Sequence, residues 1–373
     1  MGHRDRGPRP LPRRAGPAPE APGRPGGGDR RLRRALLRGA LLAVSVAAAL
    51  LVAELGLRFQ LRSAAGASLD TQARRSRPSR WPDVVYELRP GLRGLFHGQP
   101  LSTNSHGMRS PETPLAKPPG VFRIAGLGDS QMFGWGVADE EVYLRRLEVL
   151  LNQRARAAGD PRRFETLNFA VPGYNAAMEV ATFEHKALAF APDLVVVHFV
   201  RNDLEAPHFA EPPRSYVLAV LRGALAGADP GEEGDAEPGT RRRARRRADR
   251  RRFAHLGGPE AYARAMARLA ELSRRRGIPV LVMTLERGKH PLMREAVHRH
   301  GLRFVPAAPR FYAYLGARGP AGTRGAWAQT FRLGRDGHPN ALAHRLFAEV
   351  LVEEIAALGV IDPGDRSNVL KSP

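Results

Sequence analysis

The sequence predicts an α/β domain, a central parallel sheet with helices on both faces, preceded by one N-terminal transmembrane helix. Three observations carry this. Four apolar runs of strand length, dense in Val, Ile, Leu and Phe, recur between residues 121 and 285, the pattern of parallel strands buried on both faces. Segments with helical spacing of apolar residues alternate with them, as crossover helices do. Ahead of all of these, an uncharged run at 39–53 comes after a dense arginine cluster between Arg30 and Arg38.

Residues 1–34 are rich in Pro, Gly and Arg; such a composition supports no packed core and reads as a basic disordered tail. Residues 35–59 are expected to form the anchor. The run "GALLAVSVAAALLVA" is short against the roughly 20 residues needed to span a bilayer, and continuing through Glu54 to Leu57 supplies the length. An uncleaved anchor is the reading preferred over a signal peptide, because no clear small-x-small site precedes a polar mature start, although "VAAALL" keeps the second reading open. Arginines on the N-terminal side hold that end in the cytoplasm and place the chain beyond residue 60 on the opposite side.

Residues 60–80 read as a linker. The stretch 81–120, rich in turn residues, reads as an ordered lead-in packed on the domain, with Trp81, Tyr86 and Phe96 available to pack. The domain itself is expected over 121–361. Its strands are read at 121–128, 166–171, 193–200 and 279–285, and its helices at 138–158, 175–190, 258–276 and 341–358. An insertion at 204–256 interrupts the alternation with "GADPGEEGDAEPG" and then "RRRARRRADRRR"; it reads as partly disordered. Residues 362–373 form a tail.

Charge narrows the partners. Fifty-nine Lys and Arg face 37 Asp and Glu, a net +22, which raises nucleic acid or an anionic membrane surface as partners. The excess sits largely in 1–38 and 241–252, and blocks of like charge are usually solvated. The second block has no interleaved aromatics, so nucleic acid is not expected. The chain has no cysteine, which excludes disulfides, thiolate chemistry and zinc-finger spacing without assigning a compartment.

The chemistry is carried by the turns after the strands, because open parallel sheets gather the residues just past successive strands along one edge. The stretch "IAGLGDSQMFGWG" passes from an apolar run into a Gly-Asp-Ser turn. Ser130 there is a candidate nucleophile or, more simply, a helix cap. After the second run comes "VPGYN" with Gly173; after the third, "RND" with Asn202; near the C-terminus "GRDGHPNALAH" presents Asp336 and His338, with Pro339 and Asn340 marking a helix start. Together these supply a nucleophile, a base, a group to orient the base, and three oxyanion donors: the N–H groups of Ser130 and Gly173 and the side chain of Asn202. His97, His106, His198 and His290 lack metal-site spacing, and no cofactor or metal is expected.

In this set the sequence resembles the SGNH or GDSL-like esterase and acyltransferase superfamily, over about 121–358. Its first block is similar to "GDSQ" with Ser130, its second matches Gly173, its third Asn202 in "RND", and its fifth "DGHPN" with Asp336 and His338. The stretch "TNSHGMRSPE" resembles a lead-in of membrane-anchored bacterial members. Two positions depart from the pattern. Val200 stands where the third block usually has glycine, and Arg335 stands where the acid usually does, three residues before the histidine. Asp336, one residue closer, resembles a branch that includes polysaccharide O-acetyltransferases, and a Ser130/His338 dyad remains the alternative to a triad. The resemblance implies a three-layer flavodoxin-like sandwich and a serine-dependent ester hydrolase with an acylated small molecule or glycan as substrate; the extracytoplasmic address makes cell-envelope glycans or lipids the candidates. An O-acetyltransferase using the same residues and a non-catalytic, membrane-tethered binding protein are the alternatives.

Overall fold

The computed structural model describes residues 27–63, 68–209, 251–285, 291–317, 324–334 and 336–361, with isolated residues between 215 and 221. Most of the expected tail at 1–34, most of the insertion with its arginine block, and the tail at 362–373 therefore lie outside the described residues.

The chain divides into two units, Met1–Phe59 and Gln60–Pro373. The first is dominated by helix α1 (Gly27–Ser63). Its span Arg31–Phe59 is long and apolar enough to cross a membrane, and the large apolar side chains along it, from Leu32 to Phe59, are exposed. By length and composition such a helix can cross a bilayer, where every backbone group must be satisfied within the helix.

The second unit is built on five parallel strands: β5 (Val121–Leu127), β6 (Arg163–Asn168), β7 (Leu194–His198), β8 (Val280–Thr284) and β9 (Arg303–Pro306). They lie in the order β6-β5-β7-β8-β9, the flavodoxin-like order, whose switch point falls between β5 and β7. Alternate residues of each strand enter opposite layers. Ile124, Val196, Leu281 and Met283 pack with α4 (Tyr143–Ala157), α8 (Ala308–Gly316), α9 (Arg324–Phe331) and α10 (Ala341–Ala357) through Leu147, Phe311, Phe331 and Phe347. Ala125, Val195, Val197 and Val282 pack with α5 (Ala176–His185), α6 (Gly258–Arg276) and α7 (Pro291–Arg299) through Phe183, Met266 and Val297. The expected three-layer sandwich is the architecture observed.

Two strand readings are corrected. The second strand begins at Arg163, three residues before the expected 166–171 run. Arg123 and Glu165 are register partners, and the Arg123 Nε–H donates to Glu165 at 2.9 Å, so charged residues enter the sheet as a pair. The fifth strand, β9, was not anticipated. It is only four residues long and exposes its first and last, Arg303 and Pro306, so no apolar run results.

Residues 60–80 are also not simply a linker. Residues 72–75 form the short helix α2 (Gln72–Arg75), and β1 (Ser76–Pro78) pairs antiparallel with β2 (Tyr86–Leu88). Leu69 and Arg75 are buried, the guanidinium donating to the Asp70 carbonyl at 2.5 Å. The linker reading does not hold for this stretch because Arg75 packs inward, its Nη1 held by the Leu69 and Asp70 carbonyls. A hairpin of β3 (Arg93–Phe96) and β4 (Gln99–Ser102) completes the lead-in. Tyr86 and Phe96 are buried in the same cluster as Met132, Phe133 and Tyr143 of the domain.

Candidate active site

The site is built where the chain leaves β5. Helix α3 (Ser130–Phe133) starts at once, and its N-cap is Asp129, whose carboxylate accepts the Gln131 N–H at 2.9 Å. The capping role thus falls to Asp129 and leaves the Ser130 side chain free for another use. Ser130 Oγ lies 2.9 Å from His338 Nε2 and 3.2 Å from Asp129 Oδ2. The Ser130 backbone N–H donates to no other backbone group among the described residues.

His338 and Asp336 lie on the loop before α10. A bridge between Arg332 and Pro339 closes this loop, the Leu333 N–H donates to the His338 carbonyl at 2.8 Å, and Asn340 caps α10 by accepting the Ala343 N–H. Gly337, at φ +83°, makes the turn between the two functional side chains; that backbone region is open to glycine and strained for other residues. As a result Asp336 Oδ1 sits 2.7 Å from His338 Nδ1. A carboxylate at Nδ1 holds the proton there and presents an unprotonated Nε2 to the serine. Burial alone would raise the Asp336 pKa, but hydrogen bonds from His338 and Trp135 outweigh it and hold the carboxyl below its usual range.

Trp135 was not anticipated by sequence reasoning. Its Nε1–H donates to Asp336 Oδ2 at 2.7 Å, and its ring stacks on His338 with centroids 4.6 Å apart and planes within 11°. The indole also meets His97 at 4.5 Å, and Phe96 abuts it edge-on. Arg109, buried, holds the loop that carries this tryptophan by donating to the carbonyls of Phe133, Gly134 and Val137 and pairing with Asp139 at 2.7 Å.

Asn202 lies in a single 3-10 turn (Arg201–Leu204) directly after β7, across the switch point from Ser130. Its Nδ2 donates to Asp129 Oδ2 at 3.0 Å, which fixes the amide beside the serine and leaves its second N–H unused by that bond. Val200, in place of the usual glycine, is at φ −132° and ψ 162°, extended backbone that any residue adopts, so the substitution costs this turn nothing. Asp129 is fully buried, and burial raises its pKa against the hydrogen bonds from Gln131 and Asn202.

Gly173 sits in the turn after β6. The Tyr174 N–H donates to the Val171 carbonyl at 3.0 Å and Gly173 has φ +84°, the signature of a type II turn with proline at its second and glycine at its third position. The Val171 N–H donates to the Gly128 carbonyl at 3.2 Å, which ties this turn to the loop that carries Ser130. The structure therefore joins Ser130, His338 and Asp336 by direct contact, holds Asn202 through Asp129, and sets Gly173 on the adjoining turn. Arg335 lies outside the described residues. Among the described residues no group of three or more His, Asp or Glu side chains is placed to hold a metal ion.

Chemically, a hydroxyl in contact with an imidazole whose other nitrogen meets a carboxylate is an arrangement that can activate a nucleophile. No protein-family model and no curated protein matches the chain. Among solved structures it is similar to a protein assigned as a GDSL-like lipase from Parabacteroides merdae, at 16% identity and a TM-score of 0.38, over 64% of this chain and 96% of that one. It is similar to the acetyl xylan esterase AlAXEase at 14% identity and a TM-score of 0.37, over 63% and 100% of the two chains. It is also similar to TesA at 16% identity and a TM-score of 0.36, over 63% and 99%.

Proposed function

We propose that the chain is a membrane-tethered serine hydrolase of ester bonds. The observation that carries the reading is the continuous contact Asp336–His338–Ser130, at 2.7 and 2.9 Å. His338 Nε2 takes the Ser130 proton as Oγ attacks the ester carbonyl, and the Asp336 carboxylate stabilises the imidazolium that forms. The oxyanion is held by the Ser130 and Gly173 N–H groups and the second Asn202 N–H. His338 then returns its proton to the departing alkoxide, and water, activated by the same imidazole, releases the acid from the serine ester.

One observation favours a second acceptor. The acid stands two residues before the histidine, the spacing that resembles the polysaccharide O-acetyltransferase branch, and a sugar hydroxyl would take the acyl group in place of water by the same steps. The arginines between Arg30 and Arg38, at the N-terminal end of α1 and ahead of its apolar run, support an orientation with that end in the cytoplasm and the chain beyond about residue 60 outside it, where acylated envelope glycans are available. Hydrolysis of p-nitrophenyl acetate by the full chain in detergent, wild type beside Ser130→Ala, tests the reading. Hydrolysis abolished by the substitution supports it, and equal rates in the two proteins reject it. Addition of oligosaccharide acceptors then separates water from sugar as the acyl acceptor.

A further inference from the structure

We infer that Tyr86, from the lead-in, is a positioning residue for the oxyanion site: its hydroxyl holds the Pro172–Gly173 peptide in the orientation that presents the Gly173 N–H to substrate. The inference rests on the acyl-transfer reading above.

Type I and type II turns share their end residues and differ by a half-turn of the central peptide. In Val171–Tyr174 that central peptide joins Pro172 to Gly173, and it carries the N–H that the site needs. Proline at the second position suits both types and glycine at the third opens type II; the Tyr86 hydroxyl adds an anchor that only type II meets. That hydroxyl donates to the Pro172 carbonyl oxygen at 2.9 Å, and because the peptide is planar and trans, a carbonyl drawn into the buried Tyr86 sends the N–H to the opposite side. Gly173 is exposed, and its N–H donates to no backbone acceptor among the described residues. A flip to type I would take the Pro172 carbonyl away from the hydroxyl of a fully buried tyrosine, leaving it only the Gln72 side chain, and would turn the N–H inward.

Tyr86 is itself held. The Tyr174 hydroxyl donates to the Tyr86 carbonyl at 2.5 Å, the Tyr86 ring meets Tyr174 edge-on at 5.4 Å, and Phe209 stacks on it at 4.9 Å. Burial raises the pKa of the phenol, so it remains a donor throughout the working range. A Cβ on Gly173 would come within 2.8 Å of the Tyr86 hydroxyl, so glycine is required there both by the turn and by this neighbour. The lead-in thus completes the site from outside the sheet.

The test is Tyr86→Phe in the full chain, assayed with p-nitrophenyl acetate and with its thionoester analogue, whose sulfur is a weak hydrogen-bond acceptor. The expected result is a kcat lower by about ten- to a hundredfold on the oxygen ester, short of the ~10²–10³ for outright loss of a donor. KM should be unchanged, and the preference for ester over thionoester should be reduced. A purely structural loss would lower both substrates alike, and that result, or a kcat within about twofold of wild type, overturns the inference. Gly173→Ala provides an independent route to the same peptide: it should also narrow the ester preference, and the double variant should be less than additive, whereas full additivity counts against the inference. Ser130→Ala runs alongside; activity that survives it refutes the acyl-transfer reading itself, a result distinct from any Tyr86 outcome.

Discussion

Replacing Asp336 by asparagine removes one charge from the triad while keeping a side chain of the same shape. The carboxylate lies 2.7 Å from His338 Nδ1, and the two side chains are 38% and 23% exposed. For unit charges at that distance Coulomb's law gives about 1.5 kcal/mol in bulk water and about 6 kcal/mol at an effective dielectric constant of ~20. The exposure places the pair toward the screened limit, so the imidazolium formed in the transition state should lose about 2–3 kcal/mol of stabilisation. At about 1.4 kcal/mol for each factor of ten, kcat should fall roughly 30- to 150-fold, with KM for p-nitrophenyl acetate unchanged because the charge acts on the transition state. Steady-state kinetics of wild type and Asp336→Asn, in the same detergent, measure this directly. A change below about threefold would mean that Ser130 and His338 work as a dyad. A loss near the roughly 10⁴-fold seen when a buried triad aspartate is replaced would mean that the substitution also turns the imidazole to the tautomer with its proton on Nε2.

Asn202→Ala should lower kcat about a hundredfold or more, the usual cost of losing one oxyanion donor, and an unchanged rate would remove Asn202 from the site. Trp135→Phe keeps the stack on His338 but loses the donor to Asp336; kcat should fall roughly three- to tenfold, a fraction of the about 1.5–3 kcal/mol of a charge-assisted hydrogen bond, and the effect should vanish in an Asp336→Asn background. Glu179, fully buried on α5, has no hydrogen-bond partner on either carboxylate oxygen among the described residues, and burial together with the nearby Asp129 raises its pKa well above the usual value. The folded state keeps this proton where the unfolded chain releases it, so the associated stability is complete below the unfolded pKa and declines as pH rises toward the folded one. Glu179→Gln should flatten that decline and raise the melting temperature at neutral pH; an unchanged pH dependence in thermal melts would show that Glu179 does not titrate this way.

Much of the sheet was legible because buried parallel strands are apolar on both faces and stand out even in a composition rich in Arg, Ala and Gly. The edge strand β9 was not, because half of its residues face solvent, and β6 was read late because its first residues are charged and satisfied by pairing. Ser130 and Asn202 were read from turns that follow strands, Asp336 and His338 from the turn just before the last helix, and Asp129 explains how a serine at a helix start avoids spending its hydroxyl on the cap. Trp135 and Tyr86 were of a different kind. Tyr86 showed in the sequence only as an aromatic able to pack, and Trp135, between two glycines, gave no periodic signal. Their roles come from contacts made across about two hundred residues in one case and from the choice between two turn types in the other, and neither is written in local pattern. The burial of Arg75 was hidden for a related reason, since the Leu69 and Asp70 carbonyls that hold its Nη1 are backbone groups that sequence does not distinguish.

The central claim is that Ser130 is a nucleophile activated by His338. Treating the full chain with a fluorophosphonate and mapping the adduct by peptide mass spectrometry tests it most directly. The account predicts one adduct per chain, on the peptide that contains Ser130, absent in Ser130→Ala and formed much more slowly in His338→Ala; an adduct on another residue, or none on the folded wild-type protein, would contradict it.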